Sequence, residues 1–310
     1  MDLKLVASSS PHLRAPENVR DIMFDVLTAL FPAALAGVIL FGYSALITIL
    51  LATFTAMVTE ALVMKEKNII GDGSAAVTGL LLALLLPPAP PWWMVVFGSV
   101  AAILIGKHVF GGLGNNIFNP ALVGRAILTV SWPGPMTNWL APGVDAVSAA
   151  TPLAGGNASL GSMFMGTIPG CIGETSALAL VLGGLWLYYR GHISWHISGS
   201  CIATVFIIGV MRSASALAGP ADILSFSLFH VLAGGLLLGA IYMATDMVTS
   251  PVTREGQIIF GAGIGIITMA IRFYGAYPEG VTFAILLMNG ATPLIDNLTL
   301  PSKFGEVKAS

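Results

Sequence analysis

Residues 22–41, IMFDVLTALFPAALAGVILF, are followed after one glycine by residues 43–64, YSALITILLATFTAMVTEALVM. Each run has roughly the 20 residues that a helix needs to cross a bilayer's hydrocarbon core. Each carries a single charged side chain, Asp25 in the first and Glu60 in the second. The rest of the chain has the same character: of 310 residues, 56% are hydrophobic and 9% charged, against roughly 25% charged in a soluble domain. Thirteen Lys/Arg and 15 Asp/Glu cannot coat a soluble fold of this size. The 36 glycines suit helices that pack closely where water does not drive association.

The reading is an all-α polytopic membrane protein of about ten transmembrane helices. They are expected at 22–41, 43–64, 74–86, 92–110, 119–131, 175–190, 195–212, 226–245, 257–274 and 281–297, the third, fifth and tenth being short, interrupted or bounded by proline. Pro-rich punctuation at LLPPAPPWW (85–93) and VTSPVTREG (248–256) ends one helix and begins the next. With a cytoplasmic N-terminus, the cytoplasmic side holds Lys4, Arg14, Arg20, Lys65, Lys67, Lys107, Arg190, Arg254, Lys303 and Lys308, and the opposite side only Arg212 and Arg272. That bias is the positive-inside pattern and agrees with an even number of crossings. Residues 132–174 contain no Lys or Arg and are expected outside the cytoplasm. The polar, basic N-terminus runs into a long apolar segment with no small-residue cleavage site, so no cleaved signal peptide is read.

An internal repeat is visible. Gly79-Leu-Leu-Leu-Ala83 echoes Gly235-Leu-Leu-Leu-Gly239, and Phe97-Gly-Ser-Val-Ala-Ala-Ile-Leu-Ile105 echoes Phe260-Gly-Ala-Gly-Ile-Gly-Ile-Ile-Thr268. Five helices per half force the halves into opposite orientations, and inverted repeats with broken helices place sites at the midplane between halves. The expected organisation is a cytoplasmic segment (1–20), a first five-helix repeat (21–131), an extracytoplasmic loop (132–174), a second repeat (175–298) and a cytoplasmic tail (299–310).

Candidate residues follow from depth and type. Asn115, Asn116 and Asn119 precede a short helix, where their amides could hold a bound group or serve as caps and turns. Asp246, near a membrane boundary before a Pro-ended turn, could contact a cofactor or ion, or close the turn. Arg125 lies inside a helix and is expected to face the interior, a carboxylate or a cofactor. Glu60 is read as solvated near a helix end or as an ion-pathway residue, and Lys107-His108 as a snorkelling helix end. Trp92, Trp93, Trp132 and Trp139 fit interfacial anchoring. Cys171 and Cys201 form no metal spacing and are expected unpaired, and the histidines form none either; no metal ligand is assigned.

The sharpest motif is Asp145-Ala-Val-Ser148-Ala-Ala-Thr151-Pro. An acceptor hydroxyl among small residues suits an exposed loop that a modifying enzyme can approach. The motif resembles the flavinylation site of the Rnf and Na+-translocating NADH:quinone reductase families, with Ala149 where Gly is common. The same resemblance extends over roughly residues 10–300 through Ser10-Pro-His12-Leu-Arg14, Gly71-Asp-Gly-Ser-Ala-Ala-Val-Thr-Gly-Leu80 with Leu86-Pro-Pro88, Gly111-Gly-Leu-Gly-Asn115-Asn116-Ile-Phe-Asn119-Pro-Ala121 and Ala244-Thr-Asp246-Met-Val-Thr-Ser-Pro251. Length and the short N-terminal extension look more like the RnfD branch of the family than the longer NqrB branch of the quinone reductases.

The resemblance implies FMN joined to Thr151 as a phosphoester by a flavin transferase that recognises Asp145 and Ser148. It also implies a noncovalent riboflavin, with Asn115, Asn116, Asn119 and Asp246 as candidate contacts, and a fold like urea and ammonium channels. By resemblance the chain is a membrane redox component of an ion-translocating ferredoxin:NAD oxidoreductase, coupled to Na+ or H+ movement and not an enzyme on its own. Its partners would be RnfA, RnfB, RnfC, RnfE and RnfG, the transferase and lipid, with no nucleic acid. It would sit in the bacterial cytoplasmic (inner) membrane, both termini inside. The competing reading from the inverted repeat is a small-solute channel, for which a flavinylated outer loop has no use. The glycine runs lie in membrane helices, not strand–turn–helix units, so the chain itself is not expected to bind NAD.

Overall fold

A computed structural model describes residues 18–65, 71–143, 150–156, 158–174, 176–215, 219–275, 277 and 279–301. Asp145, Ser148 and the N-terminal Ser10–Arg14 motif lie outside these residues, as does the tail beyond 301. The described residues form helices only. Two long ones open the chain, α1 (Val19–Phe41) and α2 (Tyr43–Met64), then α3 (Ser74–Leu85), α4 (Trp92–Phe110) and α5 (Pro120–Ser131). Two short helices, α6 (Pro133–Met136) and α7 (Leu160–Met165), lie in the middle segment. The second half holds α8 (Ala177–Arg190), α9 (Trp195–Ala214), α10 (Pro220–Leu232), α11 (Leu236–Met243), α12 (Arg254–Tyr274) and α13 (Val281–Thr299).

Among the described residues six helices (α1, α2, α4, α9, α12 and α13) are long and apolar enough to cross a membrane, and the bent pair α10–α11 makes a seventh candidate span. α3, α5 and α8 are apolar but shorter. At 1.5 Å per residue, the 12 residues of α3 reach only about 18 Å, and a non-helical Pro87–Pro91 segment leads on to α4. Every α3 residue is buried. Its Gly79 lies against α2: a Cβ there would stand 2.6 Å from Thr53 Cα and 2.8 Å from the Ala52 carbonyl. This is the small-residue contact that lets apolar helices pack in lipid.

Two expectations about the second half are corrected. The helix expected at 226–245 begins at Pro220 and breaks at Ala233-Gly234-Gly235, where its parts meet at 61°. Gly234 there adopts φ +65°, a left-handed backbone that glycine takes without a steric penalty. The last helix, expected to be short, interrupted or bounded by proline, runs unbroken for 19 residues through Pro293. α4 passes through a π-turn, Ala102–Lys107, before its last three residues, and α11 ends in one, Gly239–Met243. Such turns are rare and concentrate at functional sites.

The packing alternates between halves. α2 lies on α3 and α4, while α9 lies on α10 and α12; α1 pairs with α8, and α5 with α13. Cys171 and Cys201 are both free and buried. Trp92 and Trp93 are exposed as interfacial anchors would be, but Trp139 is buried.

Candidate functional site: a cleft and a buried ion cluster between the halves

A mostly apolar cleft lies where the two halves meet. One wall is built by Met23 and Val26 of α1, Val77, Thr78 and Leu81 of α3, and Lys107 of the α4 π-turn; the other by Leu187, His192, Tyr242, Thr245 and Asp246. The loop before α5 closes it with Asn116 and Asn119.

Three of the four residues expected to contact a flavin are thus brought together. Asn119 divides its side chain between capping and crosslinking. Its Oδ1 accepts from the amides of Ala121 and Leu122 (3.1 and 3.4 Å), its amide donates to the Met243 carbonyl (3.4 Å), and its own N–H donates to Asn289 Oδ1 (3.3 Å). Asn116 donates to the Phe118 carbonyl (3.2 Å), and its Oδ1 is buried with no partner. Asp246 accepts from the Val248 amide (3.2 Å), closing a turn while facing the cleft. Asn115 stands apart: it is exposed and donates to the Gly111 carbonyl (3.3 Å).

Lys107 reverses its sequence expectation. It does not snorkel; it is 2% exposed and ion-paired to Glu60, and it also donates to the Ser74 hydroxyl. Glu60 is therefore paired rather than merely solvated. The network ends on Asp72, which accepts from the Ser74 hydroxyl and amide. Burial alone would raise the Asp72 carboxyl, but the bonds from Ser74 and the nearby Lys107 ammonium hold it below the ordinary carboxylate range. A helix-end lysine usually reaches for water; this one meets a carboxylate 47 positions away that periodicity cannot reveal. Lys107→Met should leave Glu60 without its partner and lower the thermal midpoint of the assembled protein, with Glu60→Gln on the same chain restoring most of the loss.

Beside the cleft residue His192, α1 and α8 are joined by Asp25, which accepts from Arg190 (2.8 Å) and from His192 Nε2 (2.7 Å).

A second constellation surrounds Arg125. As expected it faces inward and pairs with carboxylates: Glu279, by a direct hydrogen bond, and Glu174 at 3.6 Å. The Cys171 sulfur lies 3.5 Å from the guanidinium and donates to the Leu85 carbonyl (3.0 Å). α5 thus reaches loops that precede α8 and α13, so the cluster ties both halves. Glu174 and Glu279 were missed by sequence reasoning; the available signal was an acidic residue bordering an apolar helix.

Thr151 departs from expectation. Instead of standing exposed it is 4% exposed, and its hydroxyl is buried without a partner. The turn Thr151–Gly156 closes on itself, the Thr151 carbonyl accepting from Ala154 and Gly156 (2.9 and 3.0 Å). Leu153 then anchors the turn among Met163, Ile168, Phe229 and Ala233.

Residues 6–305 match the NQR2, RnfD, RnfE family. The chain is 51% identical to the D component of the proton-translocating ferredoxin:NAD(+) oxidoreductase complex of Clostridium ljungdahlii, covering 96% of this chain and 95% of that one. It is 46% identical to the D component of the Na(+)-translocating ferredoxin:NAD(+) oxidoreductase complex of Acetobacterium woodii, over 99% and 97%. It is 37% identical to the D component of the ion-translocating oxidoreductase complex of Cronobacter sakazakii, over 96% and 98%. A match of this extent and identity places the assignment beyond fold alone, and the chain belongs to the NQR2, RnfD, RnfE family.

Proposed function

We propose that this chain is the membrane redox component of an ion-translocating ferredoxin:NAD oxidoreductase, holding FMN covalently on Thr151 and riboflavin in the cleft between its halves. The observation that carries the reading is a pair of orphaned polar atoms at the two sites: the Thr151 hydroxyl and Asn116 Oδ1, both buried without a protein partner. Buried polar atoms are mostly satisfied, so each of these is available to a partner that the described residues do not supply. The residues fit the groups. Thr151 has an oxygen able to form the phosphoester, and Asn116 would accept from a ring N–H while the apolar walls cover the ring faces. Bound flavin supplies one- and two-electron chemistry that no side chain offers.

What the protein does is position and shield. The buried Lys107 sets a positive charge beside the cleft, balanced by Glu60. The burial of Thr151 has a consequence under this reading: transfer acts on a chain whose 150–156 turn is lifted, and Leu153 seats the turn afterwards. The seven candidate spans together with α3, α5 and α8 give ten crossings in two inverted halves. The pairing of α1 with α8 and α5 with α13 supports that arrangement. Ten crossings leave both termini on the cytoplasmic face of the inner membrane and the Thr151 turn on the other. The flavin transferase and the remaining Rnf proteins would be its partners.

Two flavins of different attachment can be counted separately. Denaturing extraction of the purified complex should release riboflavin, and Asn116→Leu should lower the amount released while this polypeptide's intact mass still carries one FMN. Unchanged riboflavin release from Asn116→Leu would remove the cleft as its site. An intact mass without FMN, from cells with an active transferase, would remove the covalent reading.

A further inference from the structure

The Arg125 cluster keeps acceptors that its own residues do not use. Glu174 and Glu279 are 5% and 9% exposed, and each has one carboxylate oxygen, Oε1, with no hydrogen-bond partner. Arg125 engages Glu279 through Oε2 and stands 3.6 Å from Glu174 Oε1, which is charge attraction rather than a hydrogen bond. A donor atom from each of Cys171, Glu174 and Glu279 lies within 4.8 Å of the others. Two carboxylate oxygens within that limit can share a cation at about 2.4 Å from each, the oxygen distance of calcium; sodium has nearly the same radius.

Two carboxylates face the Arg125 guanidinium, and the Cys171 thiol is a donor to the Leu85 carbonyl and therefore neutral. A second guanidinium, that of Arg272 of α12, also faces both carboxylates while it donates to the carbonyls of His230 and, at 2.7 Å, Ala233. Those carbonyls end α10, where the helix dipole already favours positive charge. The His230 ring, on the same helix end, packs edge-on against Phe226, Phe229 and Phe273.

Space for the ion is held open by glycine. A Cβ at Gly235 would lie 2.8 Å from Glu174 Oε1, and one at Gly234 would lie 3.6 Å from Glu279 Cγ. These two glycines are the break between α10 and α11. Broken helices beside buried acids are how membrane transport proteins hold inorganic cations. A narrow crevice past Trp139, Tyr277 and Phe283 ends on Arg125 and Glu279, providing an entrance.

We propose that Glu174 and Glu279 form a binding site for one monovalent cation, sodium or a proton, bounded by Arg125 and by the Gly234–Gly235 helix break. Sodium entering the site displaces the proton that the two carboxylates otherwise share, so one charge is exchanged for one. Binding stands on these residues alone; its use as a step in ion translocation rests on the function proposed above.

The test uses the purified complex at low sodium, with difference infrared spectra recorded on adding sodium chloride against choline chloride and on stepping pH. In the wild type, sodium should remove a protonated-carboxyl band, and Glu174→Gln and Glu279→Gln should each abolish that response. Gly235→Ala keeps both carboxylates and Arg125, so it tests the site even if the glutamine variants fail to assemble. It should weaken apparent sodium affinity by about 10–100-fold, the scale of disturbing a metal's surroundings. A band that follows pH, ignores sodium and is lost in the glutamine variants identifies the proton as the occupant. No difference between wild type and these variants under either ion overturns the proposal. Flavin content read on the same samples keeps the two questions apart: an ion response without flavin sinks the redox reading alone, and flavin without an ion response sinks the site alone.

Discussion

Arg125→Ala is expected to remove most of the assembled protein from the membrane. Arg125 is buried, and its guanidinium is the shared partner of Glu279 and Glu174. Deleting it leaves two carboxylates in a low-dielectric interior with one positive neighbour lost, and breaking a buried pair in this way costs about 3–5 kcal/mol. That is a large fraction of the roughly 5–15 kcal/mol that holds a typical domain together. Arg125→Lys should fall between, because a point charge cannot reach two carboxylates as a planar fork does. The defect should be specific to charge: Arg125→Met combined with Glu174→Gln and Glu279→Gln should recover yield that the single variant loses. Solubilised yield and thermal midpoint measure both, and a wild-type midpoint for Arg125→Ala would show that the cluster contributes no net stability.

Gly183→Ala should be comparably damaging for a steric reason. Gly183 sits where α8 crosses α1, and a methyl group there would collide with the Ala29 carbonyl and the Tyr242 hydroxyl. Tyr242 donates to the Leu180 carbonyl at 2.8 Å and contacts the Ala29 carbonyl at 3.4 Å, so the same methyl breaks a buried bond between α8 and α11. Overpacking against backbone costs about 1–3 kcal/mol or more, and losing the tyrosine's acceptor adds about 1–3 kcal/mol. Because Leu187 and Tyr242 line the cleft, riboflavin release should fall along with stability. Gly161→Ala is the control: its nearest neighbour beyond the local chain is Ser159 Oγ at 3.9 Å, and it should be silent.

These residues also mark what a sequence can carry. Apolar run length located α2 at both ends, because a continuous hydrophobic stretch bounded by Gly42 and Lys65 leaves little choice of register. It could not locate the break in α10–α11. Ala233, Gly234 and Gly235 sit inside a largely apolar run, and the backbone angle of Gly234 reveals the bend. That Arg125 must be paired followed from the cost of a lone charge in lipid. That its partners are Glu174 and Glu279 did not follow, since Glu279 is 154 positions away. Lys107 failed for the opposite reason: a rule about helix ends was applied to a residue whose π-turn aims it inward at Glu60. At Thr151 the small-residue motif was legible, but its burial depends on Leu153 finding a pocket made by α7 and α10. Asn116 and Asn119 were legible as a cluster, and their division of labour between cleft and cap was not.

Whether Thr151 carries the covalent flavin is the central question, and in-gel flavin fluorescence tests it most directly. Wild type and Thr151→Ala are each co-expressed with the flavin transferase, purified and run under denaturing conditions. A fluorescent band at this polypeptide is expected in the wild type, and none in Thr151→Ala at equal protein. A band that persists in Thr151→Ala, or a dark wild-type band beside an active transferase, would contradict the assignment.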